Sequence, residues 1–380
     1  MSSASSKTWD IFCRVVDNFG DIGVCWRLAR QLASEHGLAV RLWVDVPQAL
    51  RVMRGQEQPL GWEPSNLKVL RWESSEAIAS LGEVVMEAFG GGLPEWAVDK
   101  LAHQNKASLW INLEYLSAES WVASCHGLPS PHPAINLKRY FFFPGFGAGT
   151  GGLLREGTLA EQRAEFADGG GAQALWTSLG GQDPWREAFN ISLFSYEVRN
   201  LSGWLDVLAQ GDRPTRLLIP VGRVLPQIRD WVGAGDLQPG DAIQRGRLIC
   251  RVLPFLPQPD YDRLLWACDF NVVRGEDSFV RAQWALKPFL WHIYPQADDA
   301  HWIKLEAFLG RYLAGAPEAL AKAVRALSEA WNGRRPIGPA WSAVQVQLSH
   351  WSRHAVSWGG ELAGHDDLAT SLVKFVNKVL

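Results

Sequence analysis

The chain has 380 residues, of which 47% are hydrophobic and 20% charged, so it can build packed cores and is neither disordered nor fibrous. The formal net charge is −3 with no long charged run, which argues against a nucleic-acid partner held by bulk electrostatics. Without a ~20-residue apolar span, a signal peptide or a CxxC pair among its five cysteines, it is expected to be cytoplasmic, with no membrane partner and no cysteine zinc site.

Short apolar runs alternate with amphipathic stretches over the first third of the chain. Residues 9–16 predict a strand, the polar loop DNFGDIG follows, and residues 24–35 predict a helix from their apolar i+3 and i+4 spacing. Further strands are predicted at 38–44, 67–72, 83–89, 108–113 and 138–143, with a helix at 93–104. This alternation predicts an α/β fold with a doubly wound, mostly parallel sheet.

A second series of the same kind follows two glycine-rich stretches at residues 145–152 and 169–171. Strands are predicted at 189–196, 216–220, 248–253, 270–273 and 289–291, and helices at 260–268, 278–286, 300–313 and 317–331. Residues 341–380 predict helices with a break at Gly359 and Gly360. We therefore expect two α/β domains with a hinge near residues 150–185. With the family resemblance described below, their bounds are set at 1–165 and 166–358, with a C-terminal helix at 359–380 that packs back on the first domain.

The first candidate site is the loop after the first predicted strand. Asp17 and Asp21 stand four residues apart there, at the edge of the sheet where ligands bind, and suggest a base and its partner. The alternative is structural, with Asp21 as a helix N-cap and Asp17 in an Asx turn. The loop is not GxGxxG, which disfavours a dinucleotide-binding dehydrogenase.

The second candidate site is the segment from Arg274 to Ser278, between a strand and a helix. Gly275 permits a tight turn, the helix start offers backbone N–H groups, and Arg274 can neutralise a diphosphate. Glu276 would repel phosphate, so it suits sugar hydroxyl groups better. The alternative is a simple N-cap with a surface ion pair.

Aromatic residues follow two other strands of the second series. Phe194 and Tyr196 come after one, and Phe255 and Gln258 after the other. Phe255 could stack on a base, with ordinary core packing as the alternative. The histidines show no HExxH or comparable cluster, so no metal is expected.

Longer strings carry a family resemblance. The segments WDIFCRVVDNFGDIGVCWRLARQLA, INLEYLSAESWV, FFFPGF, FSYE, LPFLPQ and VVRGEDSFVRAQWA resemble the bacterial elongation factor P arginine rhamnosyltransferases, the EarP family. The resemblance implies a GT-B glycosyltransferase fold, with two Rossmann-like domains facing a central cleft. It also implies an enzyme that transfers L-rhamnose with inversion from dTDP-β-L-rhamnose to an arginine of elongation factor P, which relieves stalling at polyproline stretches.

The resemblance also implies roles for residues. The first domain would bind the acceptor and the second the nucleotide sugar. The essential carboxylates fall on Asp17, Asp21 and Glu276. The donor-binding residues are expected to be Phe19, Gly20, Phe194, Tyr196, Phe255, Gln258, Arg274, Gly275, Asp277 and Ser278.

Glu114 and Tyr115 are candidate acceptor contacts on the first domain. No cofactor or metal is expected, because Arg274 and helix N–H groups can stabilise the departing dTDP.

Other functions stay open beside this one. The chain could instead be a GT-B transferase with another nucleotide sugar or acceptor, or a noncatalytic nucleotide-sugar-binding protein. Mere binding, however, needs no base such as Asp21.

Overall fold

The computed structural model describes residues 7–15, 20–54, 64–74, 78–105, 107–132, 137–180 and 187–380. The chain divides into two compact units. Unit 1 comprises Met1–Gly157 and Leu362–Leu380, and unit 2 comprises Thr158–Glu361. None of the helices in the described part of the chain is long and apolar enough to cross a membrane.

Unit 1 contains a seven-stranded sheet in the order β3-β2-β1-β4-β5-β7-β6. Its strands are β1 (Thr8–Cys13), β2 (Ala39–Val44), β3 (Leu67–Arg71), β4 (Val84–Ala88), β5 (Leu109–Leu113), β6 (Pro129–Pro131) and β7 (Lys138–Phe142). All pairs are parallel except β6 with β7. Strands β1, β4 and β5 are almost wholly buried, which accounts for their continuous apolar sequences.

Unit 1 also contains five helices of its own in the described residues. They are α1 (Gly20–His36), α2 (Pro47–Arg54), α3 (Glu95–His103), α4 (Val122–Cys125) and α15 (Leu368–Val379). Helix α15 packs against α1. Inside the sheet, Asp10 is fully buried and accepts hydrogen bonds from Arg41 (2.7 and 2.6 Å), from the Trp43 indole (2.7 Å) and from the Gly82 N–H (2.7 Å). Four donors compensate the burial of this carboxylate.

Unit 2 contains a six-stranded sheet in the order β10-β11-β9-β8-β12-β13. Its strands are β8 (Phe189–Leu193), β9 (Thr215–Pro220), β10 (Ala242–Arg245), β11 (Leu248–Leu253), β12 (Phe270–Arg274) and β13 (Phe289–His292). Only the pairing of β10 with β11 is antiparallel among the pairs of this sheet that the structure describes.

The helices of unit 2 lie between and after these strands. They are α5 (Leu159–Asp168), α6 (Gly171–Ser178), α7 (Leu201–Gln210), α8 (Leu225–Val232), α9 (Gln258–Ala267), α10 (Asp277–Ala285), α11 (Ala300–Tyr312), α12 (Glu318–Trp331), α13 (Ile337–Gln345) and α14 (Leu348–Ala363). A short 3-10 helix, Ala297–Asp299, precedes α11. The boundary between the units falls near the end of α14.

The predicted helix break at Gly359 and Gly360 is wrong, since α14 continues through both residues. Gly359 serves close packing instead of chain reversal. A Cβ atom at this position would lie 2.1 Å from Cδ2 of Leu286, so any larger residue would require the Leu286 side chain, which follows α10, to move.

Both units share one strand topology. Five adjacent parallel strands of unit 1 are ordered β3-β2-β1-β4-β5, and in unit 2 the parallel strands β11-β9-β8-β12-β13 follow the same 3-2-1-4-5 scheme. In such sheets the strand order reverses between the first and fourth strands, and ligands bind at the carboxyl ends of the strands there. The topology therefore directs attention to the ends of β1 and β4 in unit 1, and of β8 and β12 in unit 2.

Candidate functional site

In unit 2 the strand order reverses between β8 and β12, which end side by side. We call the place where the strand order reverses the switch point of each unit. Leu193 is in register with Val272, and the Phe194 N–H donates to the Val272 carbonyl at 3.0 Å. The predicted segments Phe194 to Tyr196 and Arg274 to Ser278 therefore leave the sheet as neighbours. Residues about 80 positions apart in sequence are brought to one place by strand pairing.

Arg274 is held by two aromatic rings at this edge. Its guanidinium carbon lies 4.5 Å from the centre of the Phe194 ring and 4.7 Å from the centre of the Tyr196 ring. A guanidinium is planar and weakly hydrated, so it stacks on aromatic faces at little desolvation cost. The rings thereby hold a half-buried positive charge at the switch point.

The turn from β12 into α10 is shaped by Gly275 and Ser278. Gly275 has φ of +63°, a left-handed conformation that favours glycine. The Ser278 hydroxyl accepts from the Arg274 N–H at 3.1 Å and also donates to the Arg274 carbonyl. The Trp291 indole donates to the Gly275 carbonyl at 3.0 Å. These bonds fix the backbone on either side of the Arg274 side chain.

The N-cap part of the alternative for this segment is not found in the structure. Glu276 occupies the N-cap position of α10, but its carboxylate makes no capping hydrogen bond, and the Ser278 hydroxyl faces Arg274. The nine-residue helix α10 begins at Asp277, three residues after Arg274. A helix N-terminus beside a fixed cation is an arrangement that suits a phosphate or diphosphate.

Two further predicted donor residues are connected to this turn. The Gln258 amide, at the start of α9, donates to the Asp277 carboxylate at 3.1 Å. Phe255 is half-buried and lies three residues earlier, after β11. The structure therefore links Gln258 and Asp277 by contact, and it places Phe255 in the loop that leads to Gln258.

Sequence reasoning missed several residues around this site. Arg281 and Asp262 form a buried bidentate ion pair between α10 and α9, with N–O distances of 2.9 and 2.7 Å. Burial raises the pKa of Tyr261, whose ring packs edge-on against Phe194 at 5.6 Å. No local sequence pattern marks these side chains.

The Ser195–His292 pair was also missed. His292 ends β13, and its Nδ1 lies 2.7 Å from the Ser195 hydroxyl. Burial lowers the pKa of His292 to about 3, and the nearby charge of Arg274 contributes. Ser195 lies between the two aromatic residues that sequence reasoning did single out, which was the available signal.

In unit 1, Asp21 lies within the first turn of α1 and is only 4% exposed. Gly20 is the first residue of that helix, so Asp21 does not occupy its N-cap position. The positive end of the 17-residue helix dipole favours a charged carboxylate there. Asp17 and Phe19 lie outside the described residues.

More carboxylates lie on the neighbouring strands of unit 1. Glu87, on β4, is buried and pairs with Arg139 of β7 at 2.9 Å. Burial raises the pKa of Glu87, which the Arg139 charge partly offsets. Glu114 follows β5 and accepts from the Asn112 amide at 2.7 Å.

Tyr115, the residue after Glu114, is partly exposed. Its ring stacks on Phe89 at 4.7 Å with an interplanar angle of 20°. An exposed aromatic face beside a carboxylate suits a guanidinium, which forms ion pairs and stacks on rings. Within the residues described, no group of three or more His, Cys, Asp or Glu side chains could hold a metal ion. The predicted independence of metal stays a prediction.

Comparison with known proteins decides the family. The model of the family described as "Elongation-Factor P (EF-P) rhamnosyltransferase EarP" matches residues 9–377. The chain belongs to the EarP family. The predicted family and the predicted enzyme class, protein-arginine rhamnosyltransferase, are thereby confirmed.

A relative and a solved structure support this assignment, and a second solved structure supports the fold. The protein-arginine rhamnosyltransferase of Pseudomonas putida is 49% identical over 376 residues, which cover 98% of this chain and 99% of the relative. A structure described as the basis for EarP-mediated arginine glycosylation of translation elongation factor EF-P is 40% identical, with a TM-score of 0.72 over 99% of this chain and 100% of that chain. MurG of Acinetobacter baumannii is 12% identical, with a TM-score of 0.50 over 98% and 99% of the two chains, and supports the fold alone. The predicted GT-B fold is confirmed.

Proposed function

We propose that this chain transfers L-rhamnose from dTDP-β-L-rhamnose to one arginine side chain of elongation factor P. The main observation in support of nucleotide-sugar binding is the position of Arg274, which is held between Phe194 and Tyr196 near the start of α10. The names of the similar proteins, an arginine rhamnosyltransferase and an EarP that glycosylates EF-P, support the sugar and the acceptor.

In this proposal the nucleotide sugar binds at the carboxyl edge of the unit 2 sheet. Arg274 and the first-turn N–H groups of α10 bind the diphosphate. Phe255 stacks on the thymine base, and Glu276 accepts hydrogen bonds from rhamnose hydroxyl groups. Gln258 and Asp277, bonded to each other, support the same turn.

Asp21 is the proposed activator of the acceptor arginine. A guanidinium is a poor nucleophile because its charge is delocalised and its pKa exceeds ~12. A carboxylate can localise that charge through a strong hydrogen bond and orient one nitrogen. The proton then passes to Asp21 as the C–N bond forms. The proposed assistance by Asp17 rests on the family resemblance.

The reaction proceeds with inversion in this proposal. The arginine nitrogen attacks the anomeric carbon from the face opposite the diphosphate, through an oxocarbenium-like transition state. The C–O bond to dTDP breaks, and negative charge grows on the leaving group. Arg274, the Tyr196 hydroxyl and the α10 N–H groups stabilise that charge, so no metal or cofactor takes part.

The acceptor is proposed to contact unit 1 through Glu114 and Tyr115. Glu114 supplies negative charge and Tyr115 a partly exposed ring, which together suit a basic loop. The reaction would take place in the cytoplasm, where the modified factor relieves stalling at polyproline stretches. Nucleic acid and membranes are not proposed partners.

Intact-mass measurement tests this function. The purified chain is incubated with elongation factor P and dTDP-β-L-rhamnose, and the expected result is a gain of one rhamnosyl unit on the factor. A factor whose acceptor arginine is replaced by lysine serves as the control and should gain nothing. Transfer from another nucleotide sugar in preference to dTDP-rhamnose, or dTDP-rhamnose binding without transfer, would contradict the proposal.

A further inference from the structure

The loop of residues 194–198, which carries the two rings around Arg274, is anchored along its length. At its start the Phe194 N–H bonds to Val272 of β12. At its end the Gln227 side-chain amide donates to the Val198 carbonyl at 2.9 Å and accepts from the Val198 N–H at 2.8 Å. An amide that pairs both ways with a peptide group fixes that backbone as a strand partner would.

The middle of the loop is anchored by a buried polar chain. The Trp331 indole donates to the Ser195 hydroxyl oxygen at 3.3 Å, and that oxygen lies 2.7 Å from Nδ1 of His292. An indole N–H can only donate, so the Ser195 oxygen accepts from Trp331; we assign the serine proton to the bond with Nδ1 of His292, which places the imidazole proton on Nε2. All three side chains are nearly inaccessible to solvent.

His292 contacts one of the two rings, Phe194 and Tyr196, that hold Arg274 and that we call the ring clamp. The His292 ring packs edge-on against Tyr196, with 5.3 Å between centroids and an interplanar angle of 80°. Tyr196 in turn lies 4.7 Å from the Arg274 guanidinium. The strongly lowered pKa of His292 keeps its ring neutral, so it packs beside Arg274 without charge repulsion.

We propose that Ser195 and His292 are positioning residues for the nucleotide-sugar diphosphate, acting through Tyr196 on Arg274. The inference rests on the proposed donor site. Neither residue is assigned contact with the donor. Their hydrogen bond fixes the Tyr196 ring, and the ring fixes the direction of the guanidinium. Loss of the bond leaves Arg274 charged but less ordered, so ligand binding pays an additional ordering cost.

Three variants test the pair. Ser195→Ala removes the donor, His292→Leu removes the acceptor, and His292→Asn retains an acceptor oxygen near the place of Nδ1. Calorimetry with dTDP should show affinity weakened about 3- to 10-fold in the first two, the range expected for one lost hydrogen bond, and largely restored in His292→Asn. In steady-state kinetics the donor KM should rise with the dTDP dissociation constant, and kcat should also fall, because Arg274 and Tyr196 are proposed to stabilise the charge that grows on the leaving dTDP. Both constants should recover in His292→Asn.

Ser192→Ala is the matched control. Ser192 is fully buried on β8, and its hydroxyl donates to Asn271 at 2.6 Å, so this variant also loses a buried serine hydrogen bond next to the site. Its dTDP affinity should equal that of the unmodified protein. An equal loss in Ser192→Ala, unchanged affinity in Ser195→Ala and His292→Leu, or no recovery in His292→Asn would overturn the inference. Failure of the unmodified protein to bind dTDP would instead contradict the proposed function.

Discussion

The two units use the same strand order but carry different charged residues at the carboxyl edges of their sheets. Unit 1 presents carboxylates, with Asp21 in the first turn of α1 and Glu114 after β5. Unit 2 presents a cation, Arg274, stacked on Phe194 and Tyr196. Under the proposed function, the same scaffold would bind a cationic acceptor in one unit and an anionic donor in the other, and only the residues at the strand ends would differ.

Replacement of Asp21 is expected to have the largest effect and tests the proposed role of unit 1. Asp21→Asn keeps the shape of the side chain but cannot take a proton. We expect turnover to fall by about 10²- to 10⁴-fold, the range for a positioned general base. Single-turnover transfer measured by intact mass checks this, with thermal unfolding to verify the fold. Turnover close to that of the unmodified protein would remove Asp21 from the mechanism.

Replacement of Arg281 tests the support beneath the unit 2 site. Arg281→Met leaves the Asp262 carboxylate buried without its bidentate partner, so the free energy of unfolding should fall by about 3–5 kcal/mol. Denaturant unfolding checks this. The double variant Asp262→Leu, Arg281→Met is the control and should recover much of the stability, since no buried charge remains. Equal losses of unfolding free energy in the single and double variants would show that Arg281 stabilises the protein through packing and not through its charge.

Replacement of Arg274 tests the unit 2 cation itself. Arg274→Ala removes a charged donor worth about 1.5–3 kcal/mol, so dTDP should bind roughly 10- to 150-fold more weakly. Arg274→Lys keeps the charge but loses the planar group that stacks on Phe194 and Tyr196. Its dTDP affinity should lie between those of the unmodified protein and Arg274→Ala. Lysine that matches arginine in calorimetry would contradict a role for the ring clamp.

Replacement of Phe255 tests the proposed base stacking. Phe255→Ala should weaken dTDP binding by about 1–3 kcal/mol and leave the binding of inorganic pyrophosphate unchanged, since only the nucleotide has a base. Competition calorimetry with both ligands measures the difference. An equal loss for both ligands would place Phe255 in support of the turn and not at the base.

His292 is expected to affect the pH dependence of stability. Its folded pKa of about 3 lies below the value near 6.5 of the unfolded chain, so the unfolded state takes up the proton first. This stabilisation is present above pH 6.5 and declines on acidification, by up to about 1.4 kcal/mol per pH unit. His292→Asn should therefore show a shallower loss of unfolding free energy between pH 6.5 and 4. An unchanged slope would mean that His292 is not neutral in the folded protein.

Much of the fold could be predicted because buried parallel strands have apolar sequences. Strands β1, β4, β5 and β12 lie close to their predicted positions. The helix break at Gly359 was wrong because glycine also serves close packing, and its partner Leu286 is 73 residues away. Contacts of that kind leave no local signal.

The site was predictable only in part. Sequence indicated Arg274, Phe194 and Tyr196, but not that the rings would stack on the guanidinium. Ser195 and His292 are 97 residues apart and meet only through strand pairing. Long-range side-chain contacts follow from the tertiary fold, so spacing alone cannot show them.

The division of roles between the two units is tested most directly by dTDP calorimetry on three proteins side by side. These are the unmodified chain, Asp21→Asn and Arg274→Ala. The account predicts that Asp21→Asn binds dTDP as tightly as the unmodified chain, and that Arg274→Ala binds it at least about 10-fold more weakly. Weakened binding in Asp21→Asn together with unchanged binding in Arg274→Ala would contradict the account.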